Sequence, residues 1–72
     1  MNDQLTTAQF GALIRQARLA QNMTQQHLAD KIGIARYRIS QAENNIGNVP
    51  ISILLLIVKN GLGGQFEISF EF

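Results

Sequence analysis

Polar side chains suited to hydrogen bonding cluster on one face of a helix that the sequence predicts over residues 35–44. Arg36 is a bidentate donor, Tyr37 carries an aromatic hydroxyl, and Ser40 and Gln41 add a hydroxyl and an amide. Their spacing places all four on the same side of a helix. Such groups can read base edges in the major groove of DNA. The pattern therefore indicates recognition of DNA rather than a chemical reaction.

The segment from Gln25 to Ala42 has the spacing required by two helices that cross through a tight turn. Thr24 is the predicted N-cap, small Ala29 permits a close crossing, and Gly33 suits a turn residue with positive φ. The positions predicted to bury both helices against a common core are Leu28, Ile32, Ile34, Ile39 and Ala42. This pattern predicts a helix-turn-helix, and the alternative is an αα-hairpin without a DNA role.

A capping box marks the start of a helix that precedes this segment. Thr6 and Gln9 have the Thr-x-x-Gln spacing, so the helix should begin near Thr7. The apolar stripe predicted to face the core is Phe10, Leu13, Ile14, Ala17 and Ala20. Arg15 and Arg18 fall outside that stripe.

Two apolar segments with different periods follow the helix-turn-helix. Residues 51–59, between Pro50 and Asn60-Gly61, predict a fourth helix, although the run of apolar residues is also compatible with a buried strand. After Gly63-Gly64, apolar and polar residues alternate, which predicts one C-terminal strand. Its apolar face comprises Phe66, Ile68, Phe70 and Phe72. Because the chain offers no second strand, we expect this one to pair across a homodimer; the alternative is burial on its own domain.

The composition argues against catalysis and against a metal site. The chain has no Cys and a single His, His27, so neither a thiolate nor a His-based metal site is expected. There is no Gly-rich phosphate loop and no pair of carboxylates at a useful spacing. The serines have only His27 as a possible base. We therefore expect no enzymatic activity, no cofactor and no metal.

Length, charge and hydropathy bound the organisation of the chain. Its 72 residues predict one DNA-binding domain over residues 1–62 and a dimerisation strand over residues 63–72. All six basic residues lie before residue 60. Residues 61–72 contain Glu67 and Glu71 and no basic residue. No apolar run approaches the roughly 20 residues that span a bilayer, and no signal peptide is evident. The predicted location is the cytoplasm.

Two motifs carry a family resemblance. Thr24 to Gly33 contains the pattern T-Q-x-x-L-A-x-x-x-G, and Ile39 to Asn44 reads I-S-x-x-E-N. In these motifs the chain resembles the Xre, or lambda-repressor-like, helix-turn-helix family over about residues 8–62. The resemblance implies an all-α domain of four to five short helices. The short fourth helix and the C-terminal strand further resemble HipB-type antitoxins, which are dimeric repressors of toxin–antitoxin operons.

The resemblance also implies roles for individual residues. The base-reading positions are Arg36, Tyr37, Ser40 and Gln41, and the phosphate-binding positions are Thr24, Gln25, Arg38 and Asn44. The first turn of this helix holds Ala35, Arg36 and Tyr37 where many family members carry polar Gln, Thr or Ser, so the DNA sequence that is read does not transfer. For three positions other interpretations stay open: Arg36 as a solvated charge, Tyr37 as a packing residue and Gln25 as a helix-start residue.

The function implied is that of an autoregulatory repressor that binds double-stranded DNA at a palindromic operator. The implied partners are a second copy of the chain and a HipA-like kinase toxin, and no membrane is involved. Two alternatives remain. One is a stand-alone Xre-type repressor of phage or host, and the other is an interaction module that neutralises a partner without binding DNA.

Overall fold

The structure, a computed structural model, describes residues 6–64 and is entirely helical over that range. Four α-helices follow one another: α1 (Thr7–Ala20), α2 (Gln25–Ile32), α3 (Arg36–Asn44) and α4 (Ile51–Leu55). A 3₁₀ turn at Ile46–Asn48 precedes α4, and a π-helical segment at Leu56–Gly61 continues it. The predicted strand, with Phe66, Ile68, Phe70 and Phe72, lies outside the described residues.

One hydrophobic core joins the four helices. Helices α1 and α2 both pack against α3, and the π-helical segment packs against α2. The buried apolar residues are Ile14, Leu28, Ala29, Ile39, Ala42, Ile46, Val49, Leu54 and Ile57. This core confirms the predicted burial of Leu28, Ala29, Ile39 and Ala42, while Ile32 and Ile34 pack at its margin.

The predicted start of α1 is confirmed by its capping box. The Thr6 hydroxyl accepts from the Gln9 N–H at 3.1 Å, and the Gln9 side-chain oxygen accepts from the Thr6 N–H at 2.8 Å. Two of the helix's unpaired N-terminal donors are thereby satisfied within the first turn.

The predicted inner face of α1 is wrong in part. Ile14 is buried, but Leu13 is 49% exposed and Arg18 is buried instead. The reason is the close approach of α1 to α3 at Gly11, where an added Cβ would lie 2.6 Å from the Glu43 carbonyl oxygen. Because no side chain fits at that crossing, α1 is rotated so that the face through Gly11, Ile14 and Arg18 points inward.

The turn between α2 and α3 has the predicted geometry. The Thr24 hydroxyl caps α2 by accepting from the His27 N–H at 3.0 Å, and His27 Nδ1 in turn faces the Thr24 N–H at 3.4 Å. Gly33 ends α2 in the left-handed region, with φ of 72°. Ala29 is fully buried at the crossing of the two helices. Helix α3 begins at Arg36, one residue later than predicted, with Ala35 as its N-cap.

The fourth helix is confirmed, and the alternative of a buried strand is excluded. Pro50 forms the N-cap, and the helix widens into the π segment before Leu62 ends it. The Lys31 ammonium donates to the Gly61 carbonyl at 2.9 Å and so satisfies one acceptor at the helix end. Among the described residues, no helix has the length and apolar character needed to cross a membrane.

Candidate nucleic-acid interface

The first turns of α2 and α3 lie side by side and enclose an open hollow of about 320 Å³. Four side chains line it: Gln25 from α2, and Arg36, Tyr37 and Ser40 from α3. Arg36 and Tyr37 are exposed, and Ser40 is half-buried. The fold thus brings one predicted phosphate-binding residue next to three predicted base-reading residues. In the described part of the chain, Arg36 has no ion-pair partner, so its guanidinium is available to a ligand.

Two consecutive residues of α3 form a cation–π pair at the surface. The Arg38 guanidinium carbon lies 5.4 Å from the centroid of the Tyr37 ring. Tyr37 is 57% exposed, so the open interpretation of this residue as a packing residue is not favoured. Base reading by Tyr37 and phosphate binding by Arg38 remain predictions.

The N-terminus of α2 presents donors beside the same hollow. Thr24 satisfies the His27 N–H, which leaves the Gln25 and Gln26 N–H groups as the first-turn donors without an intrahelical acceptor. Unpaired amides at a helix N-terminus, together with the helix dipole, favour an anion such as a phosphate. Gln25 is half-buried and its side chain adds a further amide at this point.

The last two predicted residues, Gln41 and Asn44, lie farther along α3. The Asn44 side-chain amide donates to the Ser40 carbonyl at 3.0 Å within the same helix, and the residue is exposed. Gln41 is half-buried, and its Oε1 atom is buried without a hydrogen-bond partner among the described residues. Neither residue lines the hollow, so the structure brings Gln25, Arg36, Tyr37 and Ser40 together but not these two.

A buried ion pair behind the hollow was missed by the sequence patterns. Arg18 of α1 donates from Nε to Glu43 Oε2 at 2.6 Å and from Nη2 to Glu43 Oε1 at 3.0 Å. The two side chains are 9% and 2% exposed. The hydrogen bond with Glu43 raises the pKa of Arg18 above its already high ordinary value, so the guanidinium stays charged.

A signal for this pair does exist in the sequence. Glu43 follows buried Ile39 by four residues, so it stands on the inner face of α3. Arg18 likewise follows buried Ile14 by four residues. A charge on each of two inner faces requires a partner of opposite sign, because an unpaired charge is costly to bury.

Comparison with known proteins places this geometry in a family. A helix-turn-helix family model matches residues 14–60, which is more than half of the chain. The chain belongs to the helix-turn-helix family. The match includes both α2 and α3, and it supports a DNA-binding regulator rather than an enzyme. The resemblance to Xre-type proteins is thereby confirmed. No curated protein sequence matches the chain.

Solved structures extend the similarity to nearly the whole chain. Chains from the HipA-HipB-O2-O3 complex, from a HipB-O1-O2 complex and from a structure described as "MDT Protein" each superpose with a TM-score of 0.81 at 26% identity. Each superposition covers 97% of this chain. The superposition covers 97% of the matched chain for the HipA-HipB-O2-O3 complex and for "MDT Protein", and 100% for the HipB-O1-O2 complex. The HipB-like architecture of this helix-turn-helix protein is therefore confirmed.

Proposed function

We propose that the protein is a sequence-specific DNA-binding repressor and that it acts as the autoregulatory antitoxin of a HipA-like toxin system. The observation that carries the proposal is the hollow between α2 and α3, where exposed Arg36 and Tyr37 adjoin Gln25 and the unpaired amides of a helix N-terminus. Donors for base edges and donors for a phosphate thus stand next to each other. The similar structures, a HipA-HipB-O2-O3 complex and a HipB-O1-O2 complex, support the same assignment.

The proposed docking rests on the placement of Gln25, Arg36, Tyr37 and Ser40 at the hollow and, for the other residues, on the family resemblance. Helix α3 enters the major groove with Arg36, Tyr37, Ser40 and Gln41 toward the bases. The N-terminus of α2, with Thr24 and Gln25, contacts the phosphate backbone, and Arg38 and Asn44 contact it from α3. Phosphate contacts set the register on DNA, whereas the α3 contacts discriminate the sequence.

We propose a two-fold dimer on a palindromic operator. In this assignment residues 1–62 form the DNA-binding domain, and residues 63–72 form a strand that pairs with the same strand of a second copy. The apolar side of that strand, with Phe66, Ile68, Phe70 and Phe72, would cover the two fourth helices. Ile51 of α4 is 52% exposed in the single chain, which supports the need for such cover.

We propose a HipA-like kinase as the toxin partner, because one of the similar structures is a HipA-HipB-O2-O3 complex. Copurification of this protein with the product of a neighbouring kinase-like gene tests the partner. A stand-alone repressor would bind its operator without any such partner.

DNA binding is tested by titrating the protein with the DNA upstream of its own gene at several salt concentrations. Each subunit has few basic residues, so the dimer neutralises a modest number of phosphates. The slope of log K for DNA binding against log[salt] should therefore be roughly −4 to −7, at about −0.9 per phosphate. A scrambled duplex of equal length is the control for sequence preference. A slope near zero would exclude DNA binding as the function.

Arg36 and Gln25 are expected to contribute in different ways. Arg36→Ala should weaken operator binding by about 1–3 kcal/mol and relax the preference at one base pair, because a guanidinium reads guanine through a bidentate contact. Gln25→Ala should weaken binding to all sequences more evenly, because phosphates carry no sequence information. Mobility shifts on an operator library measure both effects, and Arg15→Ala on the exposed side of α1 is the control. An even loss on every sequence for Arg36→Ala would contradict the base-reading role.

A further inference from the structure

The buried pair of Arg18 and Glu43 is connected to the proposed phosphate site through a third side chain. The Gln25 side-chain nitrogen Nε2 lies 3.3 Å from Glu43 Oε1, the same oxygen that accepts from Arg18 Nη2 at 3.0 Å. Three helices thus meet in one hydrogen-bonded network, with Arg18 from α1, Gln25 from α2 and Glu43 from α3. Gln25 is the member that reaches the hollow.

This contact determines the orientation of the Gln25 carboxamide, that is, which side its NH₂ group and its oxygen face. A carboxylate accepts hydrogen bonds and donates none, so Glu43 can face the NH₂ group of Gln25 but not its oxygen. One N–H of that NH₂ group is directed to Glu43, and the second has no partner among the described residues, at a side chain that lines the hollow. A free glutamine at a helix start would instead sample both amide orientations and several rotamers.

The charge of the network also suits a neighbouring phosphate. An isolated carboxylate behind Gln25 would repel the DNA backbone, but Arg18 neutralises it through two hydrogen bonds. Arg18 is held in place by a third bond, from Nη1 to the Met23 carbonyl at 2.8 Å, immediately before α2. Glu43 can therefore orient an amide toward a phosphate without presenting a net negative charge.

We propose that Glu43, neutralised by Arg18, is a positioning residue for the phosphate contact of Gln25. The inference rests on the proposed DNA-binding function and adds to it a residue that touches no DNA. In this assignment the ion pair has two effects: it holds α1 against α3, and it orients the carboxamide with an N–H toward the phosphate. Contacts made by Arg36 do not pass through this network.

A double-mutant cycle in DNA affinity tests the coupling. The background variant Arg18→Met/Glu43→Met replaces both partners by apolar residues of similar length, a change that buried ion pairs often tolerate. Gln25→Ala is expected to weaken operator binding roughly tenfold in the native protein and less than about threefold in this background. Arg36→Ala should cost the same factor in both. An equal cost of Gln25→Ala in the two backgrounds would overturn the proposal.

Side-chain ¹⁵N relaxation of the native full-length protein gives a second test that needs neither a variant nor DNA. The Gln25 carboxamide should be more restricted on the ps–ns timescale than that of Gln16, which is exposed on α1. Equal mobility of the two carboxamides would overturn the positioning role. If the native protein shows no salt-dependent DNA binding, the proposed function fails, and that outcome is distinct from a failure of the coupling.

Discussion

Arg18→Met is expected to destabilise the protein by about 3–5 kcal/mol, because it leaves a buried carboxylate without its counter-charge. The Glu43 side chain is only 2% exposed, so water cannot replace the lost partner. A loss of this size is comparable to the whole stability of a domain with a mass of 8.0 kDa. Urea unfolding followed by circular dichroism measures the effect.

Two companion variants show whether the ion pair is the cause. Arg15→Met makes the same chemical change on the exposed side of α1 and should alter stability by less than about 0.5 kcal/mol. Arg18→Met combined with Glu43→Met should recover most of the loss, since no unpaired charge remains buried. Equal destabilisation by Arg18→Met and Arg15→Met would contradict the role of the pair.

Removal of residues 65–72 is expected to abolish the dimer and to weaken operator binding by roughly 10²–10⁴-fold. The physical reason is that two linked half-site contacts become two independent ones. In the proposed strand pair, three Phe side chains and one Ile side chain would be buried. Their burial would contribute about 6–12 kcal/mol of hydrophobic free energy per subunit before the entropic cost of ordering the strand. Analytical ultracentrifugation of the chain ending at Gly64 measures the association. A stable dimer at micromolar concentration would place the interface on the fourth helix instead.

Substitutions within the full-length chain separate the two faces of the proposed strand. Phe66→Ser combined with Phe70→Ser should dissociate the dimer, because both side chains belong to the apolar face. Glu67→Gln combined with Glu71→Gln changes the opposite face and should leave the dimer intact. Dissociation by both pairs, or by neither, would contradict the proposed burial of one face.

Local signals in the sequence were sufficient for most of the fold. The Thr6–Gln9 capping box, the N-cap at Thr24 and the left-handed turn at Gly33 each depend on residues within a few positions of one another. Such interactions join residues that are close in sequence, so the sequence alone predicts them. The burial of Leu28, Ala29, Ile39 and Ala42 follows in the same way, from helical periodicity and the spacing of the helix-turn-helix motif.

Part of the candidate site was also predictable. Arg36, Tyr37 and Ser40 share a helix face, which follows from their spacing. The placement of Gln25 beside them depends on the crossing of α2 and α3. Ala29 indicates that crossing through its small size, and Gly33 indicates it through the positive φ of the turn. The orientation of the Gln25 carboxamide was not predictable, because its partner Glu43 lies 18 positions away in the sequence.

Only the tertiary structure decided the rotation of α1 and the pairing of its charge. The hydrophobic periodicity of α1 depends only on hydropathy, so it predicts that Leu13 faces the core and that Arg18 faces solvent. In the folded chain, the close contact at Gly11 sets the rotation of α1 against α3, and Glu43 compensates the guanidinium that this rotation buries. The spacing within each helix can place a charge on an inner face, but it does not show that Arg18 and Glu43, 25 positions apart, pair with each other. Local sequence therefore determined where the helices begin and turn and which faces of α2 and α3 are buried, whereas long-range packing determined the buried face of α1 and its charge pairing.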